Sequence, residues 1–156
     1  MIGEAAIWAI FLVPLGSFAV IGLIIRPFLN RWPLLSGLTI IASLGVALGL
    51  SVWTLRSVVL GHDLAFESIE WLEVGSATIE FGLLVDQLTA IMLVVVTGVS
   101  LLIQVYSLGY MHRDPSYSRY FAYMSLFTAA MVGVVLAGNI IQLYVFWELV
   151  GVSSYL

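Results

Sequence analysis

Cysteine and lysine are both absent from the 156-residue chain. Without cysteine there is no disulfide framework, no thiolate zinc site and no iron–sulfur ligation. Charge of either sign is scarce: five arginines stand against nine acids, for a formal net charge of −4. That leaves no basic field for a polyanion, so nucleic acid is excluded as a partner. Charged residues make up 9% of the chain and hydrophobic ones 62%, where a soluble domain has about 25% and about 45–50%. A chain so poor in charge cannot cover a globule with polar surface. What it does contain is long uncharged runs, and the expected class is a polytopic helical membrane protein in contact with a lipid bilayer.

The runs are read directly. Ala5–Ile25 is uncharged over 21 residues, Trp32–Leu55 over 24, Gln87–Met111 over 25 and Tyr120–Trp147 over 28. A span needs about 20 residues. The first run is too long for a signal-peptide core and has no basic residue before it, so it reads as a retained anchor. Pro14 inside it is tolerated if the freed backbone groups find partners. The last run is too long for one helix, and Gly138-Asn139 is its natural break, since both residues suit turns and helix ends. The expected fold is therefore all-α. It comprises about five transmembrane helices near residues 5–25, 33–58, 86–110, 120–137 and 140–156, with an outer loop over 61–83. The fifth helix reaches Leu156 with no cap or flanking charge, so 1–156 is expected to be the N-terminal part of a longer membrane subunit.

Arginine placement sets the orientation. Arg26 and Arg31 flank the first connection, and Arg113 and Arg119 lie in the third with His112. The second connection holds Asp63, Glu67, Glu70, Glu73 and Glu80 with no base. By the positive-inside rule the first and third connections are cytoplasmic, while the acidic loop and Gly138-Asn139 are outside; Arg56, beside the acidic loop, is the exception. Two alternating runs around Gly75-Ser76 predict a small extracytoplasmic β-hairpin. Its acids are read as a solvated face. Gly45 and Gly49 form a small-xxx-small pair, which marks close helix packing.

One residue calls for a chemical explanation. If the fifth helix begins near Ile140, Glu148 lies roughly 12 Å along its axis, near the middle of a hydrocarbon core about 30 Å thick. An acid there costs about 2.5–3.5 kcal/mol, and glutamate is too short to snorkel out. Burial away from water disfavours the charged carboxylate and a nearby cation favours it. A glutamate held between these effects loads and releases a proton as its partner moves. Tyr144, Gly151, Val152 and Tyr155 share its face, and the two tyrosine hydroxyls are candidates for a proton path. The plainer alternative is a protonated glutamate acting as interhelical glue. All arginines sit at helix ends or in loops, so the partner cation must lie outside the chain.

Other polar residues have simpler readings. Asp86 is placed as an N-cap or first-turn acid and Arg119 as a topology anchor; both are secondary site candidates. His112 reads as exposed, and His62 is too remote from it for a metal pair. Trp8, Trp32, Trp53, Trp71, Tyr106, Tyr110, Tyr117, Tyr120 and Tyr123 fit interfacial aromatic belts. Gln104 and Gln142 are assigned to interhelical hydrogen bonds.

Three stretches also carry a resemblance. Val85-Asp86-Gln87-Leu88-Thr89 with Val94-Val95-Val96-Thr97-Gly98-Val99 resembles the third helix of the antiporter-like subunits of respiratory complex I, most closely the chain 5 or subunit L type. Tyr117-Ser118-Arg119-Tyr120-Phe121-Ala122-Tyr123 resembles the opening of that family's fourth helix. Phe146-Trp147-Glu148-Leu149-Val150-Gly151-Val152-Ser153-Ser154-Tyr155-Leu156 resembles its fifth-helix motif. The likeness is good over residues 66–156 and rests on hydropathy and layout over 1–65. One departure is Val152-Ser153-Ser154-Tyr155, where many relatives have Leu or Met followed by Cys-Ser-Tyr.

The resemblance implies a proton-translocating membrane subunit of NADH–quinone oxidoreductase, in which the glutamate matching Glu148 belongs to a proton half-channel and pairs with a lysine on a later helix. It implies other complex I membrane subunits as partners. NADH, FMN, iron–sulfur clusters and quinone are expected in partner subunits, with no cofactor or metal in this chain. A bacterial plasma membrane is the expected location. The large subunit of multisubunit sodium/proton antiporters shares these motifs and is the alternative. A non-pumping structural subunit is a third reading.

Overall fold

The computed structural model describes residues 3–29, 32, 34–61, 69–74, 77–112 and 114–156. Arg31, His62, Asp63, Glu67, the Gly75-Ser76 turn and Arg113 lie outside the described residues.

Four helices are long and apolar enough to cross a membrane: α1 (Glu4–Phe28), α2 (Leu34–Val59), α3 (Gln87–Tyr110) and α4 (Tyr117–Leu136). A shorter apolar helix, α5, covers Ile140–Tyr155. Between α2 and α3, β1 (Ile69–Val74) pairs antiparallel with β2 (Ala77–Phe81), with a register irregularity between Glu70 and Leu72. Two helices run past the limits set by charge. α1 continues through Arg26 and Pro27 by way of a π-helical stretch at Ile21–Ile25, and the Leu29 N–H still closes a bond to the Ile25 carbonyl at 2.8 Å. α4 opens at Tyr117, three residues before the uncharged run begins. The Asp114 side chain accepts from the Ser116 N–H at 2.7 Å, and the Asp114 carbonyl accepts from the Tyr117 N–H at 3.2 Å. The start of the helix is thus fixed by Asp114, upstream of its N-cap Ser116, and Arg119 lies inside it.

α4 is the central helix, packed against all four others. Two apolar clusters hold the bundle. One joins Ile7 and Ile10 of α1, Ala47 of α2, Leu93 of α3 and Val132 and Leu136 of α4. The other joins Ile21 and Ile25 of α1, Ile40 and Leu44 of α2, and Tyr117, Phe121 and Ala122 of α4. Tyr117 is therefore a core residue at 3% exposure, which corrects its placement in an aromatic belt. Trp32, Trp53, Tyr106 and Tyr110 are exposed.

Between α1 and α4 lies a polar contact. The hydroxyls of Ser17 and Ser125 each reach the Pro14 carbonyl at 2.8 Å, and they also contact each other. Two hydroxyl protons cannot serve all three contacts at once, so this carbonyl and the pair of serines share them.

Close approach falls on glycines other than the predicted pair. Nothing lies within 4 Å of a Cβ built at Gly45 or Gly49, which face outward on α2. The tight positions are Gly37, against Leu108 and Tyr117, and Gly133, against the Phe146 ring.

Candidate functional site

α5 starts at a well-formed cap. The Asn139 side chain accepts from the Gln142 N–H at 2.8 Å, and the helix runs 16 residues from Ile140. Gly138 adopts no left-handed backbone. It is small because a Cβ there would stand 2.9 Å from the Gly82 carbonyl oxygen. The Leu84 N–H donates to the Leu136 carbonyl at 3.2 Å, and the Gln142 Oε1 faces the N–H groups of Gly82 and Gly138, both at 3.4 Å. Gln142 thus ties the segment after β2 to the α4–α5 turn, which differs from the interhelical bond expected of it. The acidic connection and Gly138-Asn139 accordingly meet at one end of the bundle.

One face of α5 is docked. Phe146 sits on Gly133 and meets the Phe11 ring edge-on, with centroids 5.3 Å apart. The opposite face carries Tyr144, Glu148, Gly151 and Tyr155, all exposed. Eight residues from Ile140 to Glu148 place the carboxylate roughly 12 Å along the axis. Its polar neighbour is the Tyr144 hydroxyl one turn back, with which the carboxylate interacts. Tyr155 is 91% exposed and stands two turns further on the same face. The structure therefore gathers Glu148, Tyr144 and Tyr155 into one stripe that α1–α4 leave uncovered.

The remaining candidates lie elsewhere. Asp86 is the N-cap of α3 and accepts from the Thr89 N–H at 2.7 Å. That backbone bond, supported by the Thr89 side chain, holds its carboxyl below the usual aspartate range. The Arg119 guanidinium donates to the Ser116 hydroxyl at 3.0 Å. It also lines a small polar cavity of about 230 Å³ with Arg26, Ser116 and Ser118. The sequence offered a clue to this convergence only in that both arginines flank connections on one side. A larger groove of about 600 Å³ opens between the ends of α3, α4 and α5, lined in part by Arg119, Tyr120, Tyr123, Ser153 and Ser154. Among the described residues no three His, Asp or Glu side chains form a metal-holding group.

A family model described as "NADH-Ubiquinone oxidoreductase (complex I), chain 5 N-terminus" matches residues 71–121. The NAD(P)H-quinone oxidoreductase chain 5 of Synechocystis sp. is 42% identical over 152 residues, covering 96% of this chain and 22% of the relative. The chloroplastic subunit 5 of Anthoceros angustus is 42% identical over 159 residues, covering 96% and 21%. That of Chlorokybus atmophyticus is 49% identical over 116 residues, covering 74% and 18%. The chain belongs to the complex I chain 5 family. It spans about a fifth of the length of the curated relatives it matches. The family-model match runs from β1 into the first turns of α4 and stops before α5. Because relatives include chloroplast proteins, family membership does not single out a bacterial plasma membrane, and that expectation is cut back to the coarser one of a membrane.

Proposed function

We propose that the chain is part of a membrane subunit of an NAD(P)H:quinone oxidoreductase, and that Glu148 takes up and releases a proton during turnover. The observation that carries this reading is the stripe on α5: a carboxylate about 12 Å into an apolar helix, beside Tyr144 one turn back on the same face and left uncovered by the other helices. An intramembrane acid is costly and is functional by default. Tyr144 and Tyr155 extend the polar stripe in both directions along α5 and would pass protons to and from the carboxylate. Other subunits of the complex hold the nicotinamide nucleotide, FMN, iron–sulfur clusters and quinone, and this chain carries no electron. It has no cysteine to hold a cluster. Covering the open face of α5 falls to protein outside this chain, which supplies the cation that sets the proton affinity of Glu148. The paired strands and the α4–α5 turn lie on the outer side, and Arg26 and Arg119 on the inner side, following the arginine bias.

The names of the relatives favour this reading over a redox-independent antiporter. The test is Glu148→Gln in the assembled complex, with proton translocation and electron transfer measured separately. Loss of proton translocation per NAD(P)H oxidised, with assembly intact, is the expected result. Wild-type pumping in the variant would mean that the glutamate is structural.

A further inference from the structure

Arg26 and Arg119 come from different helices and open on one small cavity. Arg26 of α1 forms one side of its wall, and Pro115, Ser116, Ser118 and Arg119 around the start of α4 form the other, enclosing about 230 Å³. The packing beneath fixes this meeting. Ile21 and Ile25 of α1 are buried in one cluster with Tyr117, Phe121 and Ala122 of α4, so Arg26 and Ser118, each next in sequence to a member of that cluster, stand at one level. Arg119 donates to the Ser116 hydroxyl at 3.0 Å, which occupies one of the five N–H groups of its guanidinium. The Arg26 guanidinium has no hydrogen bond or ion pair among the described residues.

No carboxylate balances these two charges. None of the residues lining the cavity is an acid. Asp114, the acid of this connection, accepts from the Ser116 N–H at 2.7 Å and lines the larger groove beside the cavity. In sequence, the same two connections also carry Arg31 and Arg113. Like charges brought to one cavity repel, and an anion between them turns the repulsion into attraction. The planar guanidinium fork suits the oxygens of a phosphate in particular. The Ser116 hydroxyl, having accepted from Arg119, keeps its own proton to donate.

We propose that the cavity binds the phosphate of an anionic phospholipid, whose two free oxygens are shared between the Arg26 and Arg119 guanidinium groups. Inorganic phosphate offers the same chemistry, and the surroundings favour the lipid. The cavity lies at the end of two membrane-length helices. One turn back from Arg26, toward the middle of α1, Leu23 is 72% exposed and a Cβ at Gly22 would meet nothing within 4 Å. That strip of α1 is apolar and open, as an acyl chain leaving the headgroup requires. Basic pockets between membrane helices are suited to anionic headgroups. With a volume below the about 300–1,000 Å³ usual for a small-molecule pocket, the cavity takes the phosphate and leaves the chains outside. The site shares no residue with the Glu148 stripe and does not depend on the proton role given to it.

Electron microscopy of the assembled complex in lipid nanodiscs tests this, with two preparations compared: phosphatidylglycerol, and phosphatidylcholine with added inorganic phosphate. In phosphatidylglycerol, headgroup density is expected about 2.7–3.2 Å from nitrogens of both guanidinium groups, continuing as an acyl chain past Leu23 and Gly22. In the second preparation the cavity should hold no phosphate. An empty cavity in phosphatidylglycerol overturns the proposal, as does a carboxylate of a neighbouring subunit lying between the arginines. Isolated phosphate density in the second preparation shows a site for the free anion, and a phosphatidylcholine headgroup there shows that negative charge is not what the site reads; either result overturns the lipid assignment. Arg26→Gln breaks no bond among the described residues and should abolish the headgroup density in phosphatidylglycerol. Density that persists unchanged in this variant also overturns the proposal.

Discussion

Gly133 lets α5 lie directly on α4, and replacing it is the sharpest structural perturbation of the candidate site. A Cβ at this position would stand 2.5 Å from Phe146 Cδ1, 2.6 Å from Cγ and 2.7 Å from Cε1. Carbon atoms pack at about 3.5–4.0 Å, so Gly133→Ala demands a movement of about 1 Å. The ring has little room to yield. It is buried and held edge-on by Phe11, and one of the obstructing atoms is Cγ, the ring carbon nearest the backbone. The helix itself has to shift, and Glu148 lies two residues further along it. Overpacking of this kind costs about 1–3 kcal/mol. Thermal unfolding of Gly133→Ala, Phe146→Leu and the double variant measures it. The double variant should lose less than the two single losses combined, because the smaller side chain removes the clash. Wild-type stability in Gly133→Ala, or strict additivity in the double variant, would refute the reasoning.

Two further predictions concern the ends of helices. The Thr89 N–H bond holds the Asp86 carboxyl below the ordinary aspartate value of 3.8. A depressed folded value gives stability that is present in full above the ordinary value and lost as pH falls through the folded one. Asp86→Ala should therefore lower the unfolding temperature at neutral pH and flatten its decline below pH 3.8; parallel curves for variant and wild type would count against the cap. Gly138→Ala should push the α4–α5 turn away from Gly82 and speed hydrogen exchange at the Leu84 N–H, which donates to Leu136. Gly49→Ala is the control: with open space around it, it should be neutral or stabilising by up to about 1 kcal/mol. Equal damage from both would show that the close approach at Gly138 is unimportant.

The helical spans were legible in the sequence wherever charge and hydropathy mark the transfer from water to lipid. Asn139 was also readable as the start of α5, since its side chain is a natural N-cap. What escaped was information that hydropathy does not carry. The first turn of α4 is fixed by the Asp114 side chain and carbonyl, upstream of the apolar run. The π-helical stretch of α1 leaves no mark in composition. Gly45 and Gly49 have the spacing of a packing motif but face away from the helices to which α2 is bound, and spacing alone does not say which side of a helix is covered. Gln104 has the residue type of an interhelical bond, yet its buried amide has no partner among the described residues; a bond needs one at the right level on the facing helix, which only the three-dimensional arrangement reveals. The stripe of Tyr144, Glu148 and Tyr155 was readable from helical periodicity; its lack of cover by α1–α4 was not.

Infrared difference spectroscopy of the assembled complex during turnover tests the central claim most directly, because it reports whether the Glu148 carboxyl changes protonation. A carboxyl C=O band should appear and vanish with NAD(P)H oxidation in the wild type and be missing in Glu148→Gln. The same band persisting unchanged in Glu148→Gln would contradict the account.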